Sequence, residues 1–167
     1  MANAHPYYLK DDGTIPNNAL PMLVYPGAVD SAGADLAGAF EQLFAANGWT
    51  HSWRNGIYSF PHYHSTAHEV LGIACGTARV RLGGDGGVVL EVSAGDALLL
   101  PAGVGHQNMG ASADLLVVGA YPQGEDWDLC RHARGQEELD HIAGVALPPL
   151  DPVCGSTGGT NEYWTNA

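Results

Sequence analysis

Four histidines and one glutamate stand where they could act together. His62 and His64 are two residues apart; in a strand such side chains leave the same face, so the two imidazoles would stand side by side with Tyr63 turned away. After Ser65, Thr66, Ala67 and His68, Glu69 opens an apolar run and could return a carboxylate opposite that pair. His106 follows the turn Pro101-Ala102-Gly103-Val104-Gly105, which leaves the apolar run Ala97 to Leu100, so a neighbouring strand could supply a third imidazole. Three neutral imidazoles and one carboxylate suit one borderline first-row divalent ion such as Fe, Mn, Ni or Zn better than calcium or magnesium.

The neighbours of this set are less specific. His68 precedes Glu69 and should turn to the other face, which makes it a surface or pocket histidine unless it serves as an alternative ligand or supports one. Tyr58 and Phe60 share the parity of His62 and would line the pocket, or simply the core, unless Pro61 breaks the strand. His68 and Tyr58 are the first candidates for general acid or base. Arg54 shares the same parity and could receive an anionic group, although a surface arginine with its stem laid on the protein is the better reading. His5, His51, His132 and His141 lack ligand spacing and read as surface or locally bonded groups.

Positioning such a set requires closely spaced strands, and the chain supplies them. Residues 1–30 carry Pro6, Pro16, Pro21 and Pro26 around the apolar stretch Leu20 to Tyr25, which reads as an extended arm with one edge strand. From Ala34 to Asn47, Leu36, Phe40, Leu43 and Phe44 fall on one helical face, with Ser31 as N-cap and Gly48 as stop. Beyond it come short strand-like runs: Ile57 to Tyr63, Glu69 to Ala74, Ala78 to Leu82, Val88 to Val92, Ala97 to Leu100 and Leu115 to Tyr121. The five residues Gly83 to Gly87 predict a hairpin between two of them. The connections are too short for crossover helices, which argues against a parallel α/β sheet and for an all-β barrel or sandwich. A short helix is expected around Gln136 to Ile142, before a Gly/Pro-rich tail ending in Tyr163 and Trp164. The division is an arm and helix over 1–48, a barrel core over about 49–122 and a flank over 123–167, all one domain.

This arrangement resembles the cupin superfamily. The first cupin motif is matched by Gly56, His62, His64, Glu69 and Gly76, and the second by Gly95, Pro101, Gly103 and His106, with Gly110 where the motif carries Asn. The joint match covers about a third of the chain and is far more specific than a lone His-x-His. The resemblance implies a double-stranded β-helix, or jelly-roll barrel, with His62, His64, Glu69 and His106 holding a metal in its mouth and one coordination position open. It also implies a homodimer. An open redox-active centre would support dioxygenase-like chemistry, and a Lewis-acid ion isomerase-like chemistry, on a small oxygen-rich metabolite. The alternative is a non-catalytic module that holds a sugar or another small molecule.

Composition narrows the partners. The chain is 46% hydrophobic and 14% charged, as a folded globular protein should be. Eighteen acidic against six basic residues give a net charge of −12, which repels nucleic-acid backbones and anionic membranes. No apolar run approaches about 18 residues and the N-terminus does not read as a signal peptide, so a cytoplasmic protein is expected. Cys75, Cys130 and Cys154 are odd in number and widely spaced, which predicts reduced thiols. The lone good helix has no recognition-helix partner, so no helix-turn-helix is expected.

Overall fold

The computed structural model describes residues 2–165 and runs β1 (His5–Tyr7), β2 (Met22–Tyr25), α1 (Leu36–Ala46), β3 (Trp49–Asn55), β4 (Glu69–Cys75), β5 (Thr77–Leu82), β6 (Val88–Ser93), β7 (Ala97–Leu100), β8 (His106–Ala111), β9 (Leu116–Pro122), α2 (Gln136–Gly144) and α3 (Thr160–Tyr163). Two antiparallel sheets form, one in the order β1-β2-β7-β4-β9-β3 and one in the order β6-β5-β8. A bridge between His62 and His106 continues the smaller sheet beyond β8. From β3 onward the chain passes back and forth between the sheets, and consecutive strands pair with each other only at the hairpin β5–β6. That is the jelly-roll solution to closing two sheets around one core. The fold is an all-β jelly roll. No helix among the described residues is long and apolar enough to cross a membrane.

The inner core lies between the sheets and includes Leu71, Ile73, Val80, Leu82, Leu98 and Val117. A second core lies on the outer face of the larger sheet, where α1 lays Phe40 and Phe44 over Val70, Leu99 and Val118. Strand β4 is therefore covered on both faces, so its sequence shows a continuous apolar run rather than alternation. Its two-residue period still decides direction: Leu71 and Ile73 point between the sheets, and Glu69 shares their parity and points the same way. Gly72 falls under the helix, where an added Cβ would lie 2.6 Å from the Phe40 ring.

Several expectations need correction. Ile57 to Tyr63 is not a strand: apart from the bridges of His62 and Tyr63 it is irregular, since Pro61 cannot donate to a ladder. The strand that precedes the site is instead β3, obscured in the sequence by its polar Thr50, His51, Ser52, Arg54 and Asn55. It lies at the sheet edge, and its register with β9 shifts between Thr50 and Trp53, where His51 takes a φ of 54°. Strand β2 is interior, flanked by β1 and β7, because β1 takes the edge position itself. Helix α1 is capped by Asp35, whose Oδ1 accepts from the Gly38 N–H at 3.0 Å, and not by Ser31.

The C-terminal tail is fastened to the outer core. Trp164 is buried and its Nε1 donates to the Pro21 carbonyl at 2.8 Å. The buried Asp151 carboxylate accepts from the Tyr25 hydroxyl and from the backbone N–H groups of Val153, Cys154 and Thr160. All three cysteines are free thiols.

Candidate metal centre and its cavity

His62 and His106 face each other across the bridge, with N–H to carbonyl distances of 3.2 Å and 2.9 Å and ring centroids 4.0 Å apart. His64 is set by a second contact between the two motifs, its carbonyl accepting the Gly103 N–H at 2.7 Å. One nitrogen from each of these three buried histidines lies within 4.8 Å of the other two. Glu69 enters from β4 and brings Oε1 to 3.4 Å from His64 Nε2 and 3.3 Å from His106 Nε2. Side chains that are 44 residues apart in the chain thus converge on one point.

The ring tautomers follow from the outer contacts. His62 Nδ1 lies 3.0 Å from the Phe60 carbonyl, His106 Nδ1 3.1 Å from the Val104 carbonyl, and His64 Nδ1 against the Asp128 carbonyl. A carbonyl only accepts, so in the neutral rings each Nδ1 carries the proton and each Nε2 is left as a lone pair. Three lone pairs and a carboxylate then point inward with no donor among them, an acceptor set whose chemistry suits a cation. Burial, with His106 next to it, pushes the His62 imidazole down to about 3. Burial alone would raise the Glu69 carboxyl, but His64 and His106 outweigh it and hold the group ionised well below the usual carboxylate range. Burial likewise works against charge on His64, and Glu69 overcomes it, moving that imidazole upward. The field at the centre therefore favours positive charge.

His64 is held from the C-terminal flank. Asp128 offers its backbone carbonyl to the ring, while its carboxylate accepts from the Ser65 N–H at 2.6 Å and the Ser65 hydroxyl at 2.5 Å. Next to it, Tyr63 and Cys130 exchange backbone hydrogen bonds at 3.0 Å and 2.9 Å. Such outer partners fix ring orientation and raise ligand basicity.

A cavity of about 350 Å³ opens onto the cluster. Its walls carry Trp53, Ile57, Leu71 and Tyr121 in the interior and Tyr58 and Trp127 toward the mouth. The Tyr121 hydroxyl accepts from Trp53 Nε1 at 2.8 Å; burial and the Glu69 carboxylate hold the phenol protonated, far above its ordinary range.

The other candidates fall as follows. Tyr58 lines the cavity and meets His62 edge-on at 5.2 Å. Phe60 stacks behind Tyr58 and is not part of the wall. Arg54 points outward and pairs with Glu41 at 2.5 Å, as a surface arginine. His68 is neither a surface nor a pocket residue. It is buried on the opposite side of β4, its Nδ1 accepting from the Ala102 N–H at 2.9 Å, its Nε2 donating to the Ala146 carbonyl at 3.1 Å, and its ring packed on Trp164. Both nitrogens are thereby used and the ring stays neutral, pushed down by burial to about 4. Gly110 lies at a register shift between β5 and β8, with φ of +149° and Met109 bulged outward. That is bulge geometry suited to glycine.

Sequence reasoning missed Tyr121, Trp53, Trp127 and Asp128. Tyr121 ends a strand whose direction the sequence does not give, Trp53 lies in the unrecognised β3, and Trp127 and Asp128 sit in a polar stretch without periodicity.

Near the centre, burial raises the half-buried Glu125 carboxyl to about 7, opposed by the His68 N–H that it accepts at 3.1 Å. A carboxyl with a folded pKa above its unfolded value binds more protons when folded, so the folded state loses stability as pH rises from about 4.5 to 7. Glu125→Gln keeps the acceptor and removes the titration. Its stability relative to the parent is expected to increase across that window, as read from urea unfolding at pH 5 and pH 8; a constant difference would contradict the assignment.

No family model matches the chain. A search of curated proteins finds an uncharacterised protein, YjlB of Bacillus subtilis (strain 168), 37% identical over 161 residues that span 95% of this chain and 94% of that one. The chain belongs to the YjlB family. Solved structures matched at low similarity include a Bacillus anthracis acireductone dioxygenase with a cadmium ion in its active centre, 16% identical with a TM-score of 0.42 over 57% of this chain and 64% of that one. They also include a single-substitution variant of Bacillus subtilis oxalate decarboxylase, 20% identical with a TM-score of 0.40 over 75% of this chain. A Cocos nucifera 11S allergen matches at 21% identity with a TM-score of 0.40 over 48% of this chain. This chain spans 31% of the decarboxylase and 24% of the allergen. The YjlB relationship stands on sequence, and the jelly roll on the strand order.

Proposed function

We propose that His62, His64, Glu69 and His106 hold one divalent transition-metal ion, and that the protein is a metal-dependent enzyme acting on a small oxygen-bearing molecule in the adjoining cavity. The observation that carries this reading is the convergence of the three histidine nitrogens, each ring fixed by a backbone carbonyl so that its other nitrogen is free, with Glu69 beside those of His64 and His106. Three imidazoles with a carboxylate suit Fe, Mn, Ni or Zn. Such an ion, when bound, supplies Lewis-acid polarisation of a ligand oxygen or, if redox-active, electron transfer.

The protein's own groups do the rest. Glu69 offsets the ion's charge, Trp53, Ile57 and Leu71 line the approach with apolar surface, and the Tyr121 hydroxyl keeps its proton beside Glu69. Tyr58 is the hydroxyl on the outer wall placed to exchange a proton with a ligand, whereas His68 has no free nitrogen to offer.

Chelator-stripped protein, dialysed separately and anaerobically against Fe(II), Mn(II), Ni(II) and Zn(II), is expected to retain about one ion per chain by elemental analysis, in line with a single four-ligand site. Retention of none of them would overturn the reading and leave a metal-free binding barrel.

A further inference from the structure

Two large aromatic side chains stand exposed at the mouth of the cavity: Tyr58 is 49% and Trp127 46% accessible, and both line it. Each belongs to a stacked pair. Tyr58 lies on Phe60 with centroids 4.7 Å apart and planes at 18°, and Trp127 on Tyr121 at 6.0 Å and 15°. Each also abuts a different histidine of the cluster edge-on, Tyr58 meeting His62 at 5.2 Å and Trp127 meeting His64 at 5.5 Å. The Arg131 guanidinium braces the first wall from 3.5 Å above the Phe60 ring. Two backed aromatic surfaces therefore rise from the cluster to solvent.

The rest of the lining restricts what can lie between them. No Lys or Arg is among the described residues of the wall, and the chain carries a charge of −12, so a polyanion would meet no compensating side chain. Beyond the cluster, the side chains with polar atoms are Asn55, Tyr58, Tyr121, Trp53 and Trp127, and of these Tyr121 and Trp53 are engaged with each other. A sugar would bring more hydroxyls than these groups can pair, and each unpaired buried hydroxyl costs on the order of 1–3 kcal/mol. An arene needs stacking surface and few partners.

We propose that the ligand class of this cavity is a small uncharged aromatic compound bearing one or two hydroxyl or ketone oxygens, its ring seated between Trp127 and Tyr58 and its oxygen directed at the histidine cluster. The oxygen end of this assignment rests on the metal reading above; the ring end rests on the two walls alone.

Anaerobic calorimetric titration with catechol, glucose and oxalate tests it, on protein whose metal content has been measured. Catechol is expected to bind most tightly, and Trp127→Ala and Tyr58→Ala each to weaken it by about fivefold to tenfold with metal content unchanged, while Trp127→Phe restores most of the affinity. The same titration with phenol on the His62→Ala/His106→Ala protein separates the two readings: weakening by Trp127→Ala persists there if the walls seat the ring, whether or not the parent holds metal. Tighter binding of glucose or oxalate, or affinities for catechol and phenol that ignore both alanine substitutions, would overturn the proposal.

Discussion

Replacing His62 and His106 together by alanine is expected to lower the affinity for Fe(II), Mn(II), Ni(II) or Zn(II) by at least about 1,000-fold, since loss of a mere outer partner already costs about 10–100-fold at such centres. The fold should survive. The bridge between these two positions is made by backbone groups, at 3.2 Å and 2.9 Å, and is indifferent to the side chains. Removing the rings also removes two inward lone pairs that no protein donor meets, and His64 remains beside Glu69. The check has two parts: elemental analysis, and thermal unfolding with and without added ion. A ligand that binds only the native state stabilises it by an amount that grows with the logarithm of ligand concentration over Kd, so the parent should gain stability on metal addition and the double variant should not. Equal metal-dependent stabilisation of both proteins would show that the ion binds elsewhere.

The second large effect concerns no ligand at all. Gly103→Ala is expected to destabilise the protein by roughly 3 kcal/mol or more, combining about 1–2 kcal/mol for a left-handed residue with the displacement of packed neighbours. Gly103 has a φ of +92°, an added Cβ would collide with the Asn17 carbonyl oxygen, and Ile142 Cδ1 would lie 2.7 Å away. The methyl tip of half-buried Ile142 can turn aside, but the backbone carbonyl of Asn17 cannot. Asn17 is buried, its N–H donates to the Gly103 carbonyl at 2.9 Å, and its side chain bonds the Gly105 N–H and the Gly83 carbonyl. The Gly103 N–H also holds the His64 carbonyl at 2.7 Å, so a shift there moves one residue of the histidine cluster directly and His106 through the same turn. Urea unfolding and metal titration should both register the change. A stability within about 1 kcal/mol of the parent, typical of surface substitutions, would mean that the turn tolerates a side chain and that the arm does not pin it.

What the sequence determined by itself was local and repetitive. The glycines at the hairpin, the alternation through Ala78, Val80 and Leu82, and the apolar face of the helix through Phe40 and Phe44 specify elements by period and by backbone freedom, which need no partner. The four residues of the cluster were legible for a related reason. His-x-His, a following Glu and a His behind a Pro-x-Gly turn are donor types at fixed offsets, and those offsets are set by short connections.

Tertiary structure decided whatever depends on which face of a segment meets which neighbour. His62 and His64 point into the cavity although their segment is not a strand, because a bridge to His106 and another to Cys130 fix it in place of a regular ladder. His68 is occupied by backbone groups of Ala102 and Ala146, 34 and 78 residues away, which no local pattern reports. Tyr121, Trp53 and Trp127 reach the cavity from three separate stretches, and Asp128 orients His64 from 64 residues away. Donor chemistry is carried by residue type and survives reading in one dimension. Orientation comes from cross-strand pairing and from loops packed over the barrel mouth, where one step of register turns a side chain from the cavity to the opposite face.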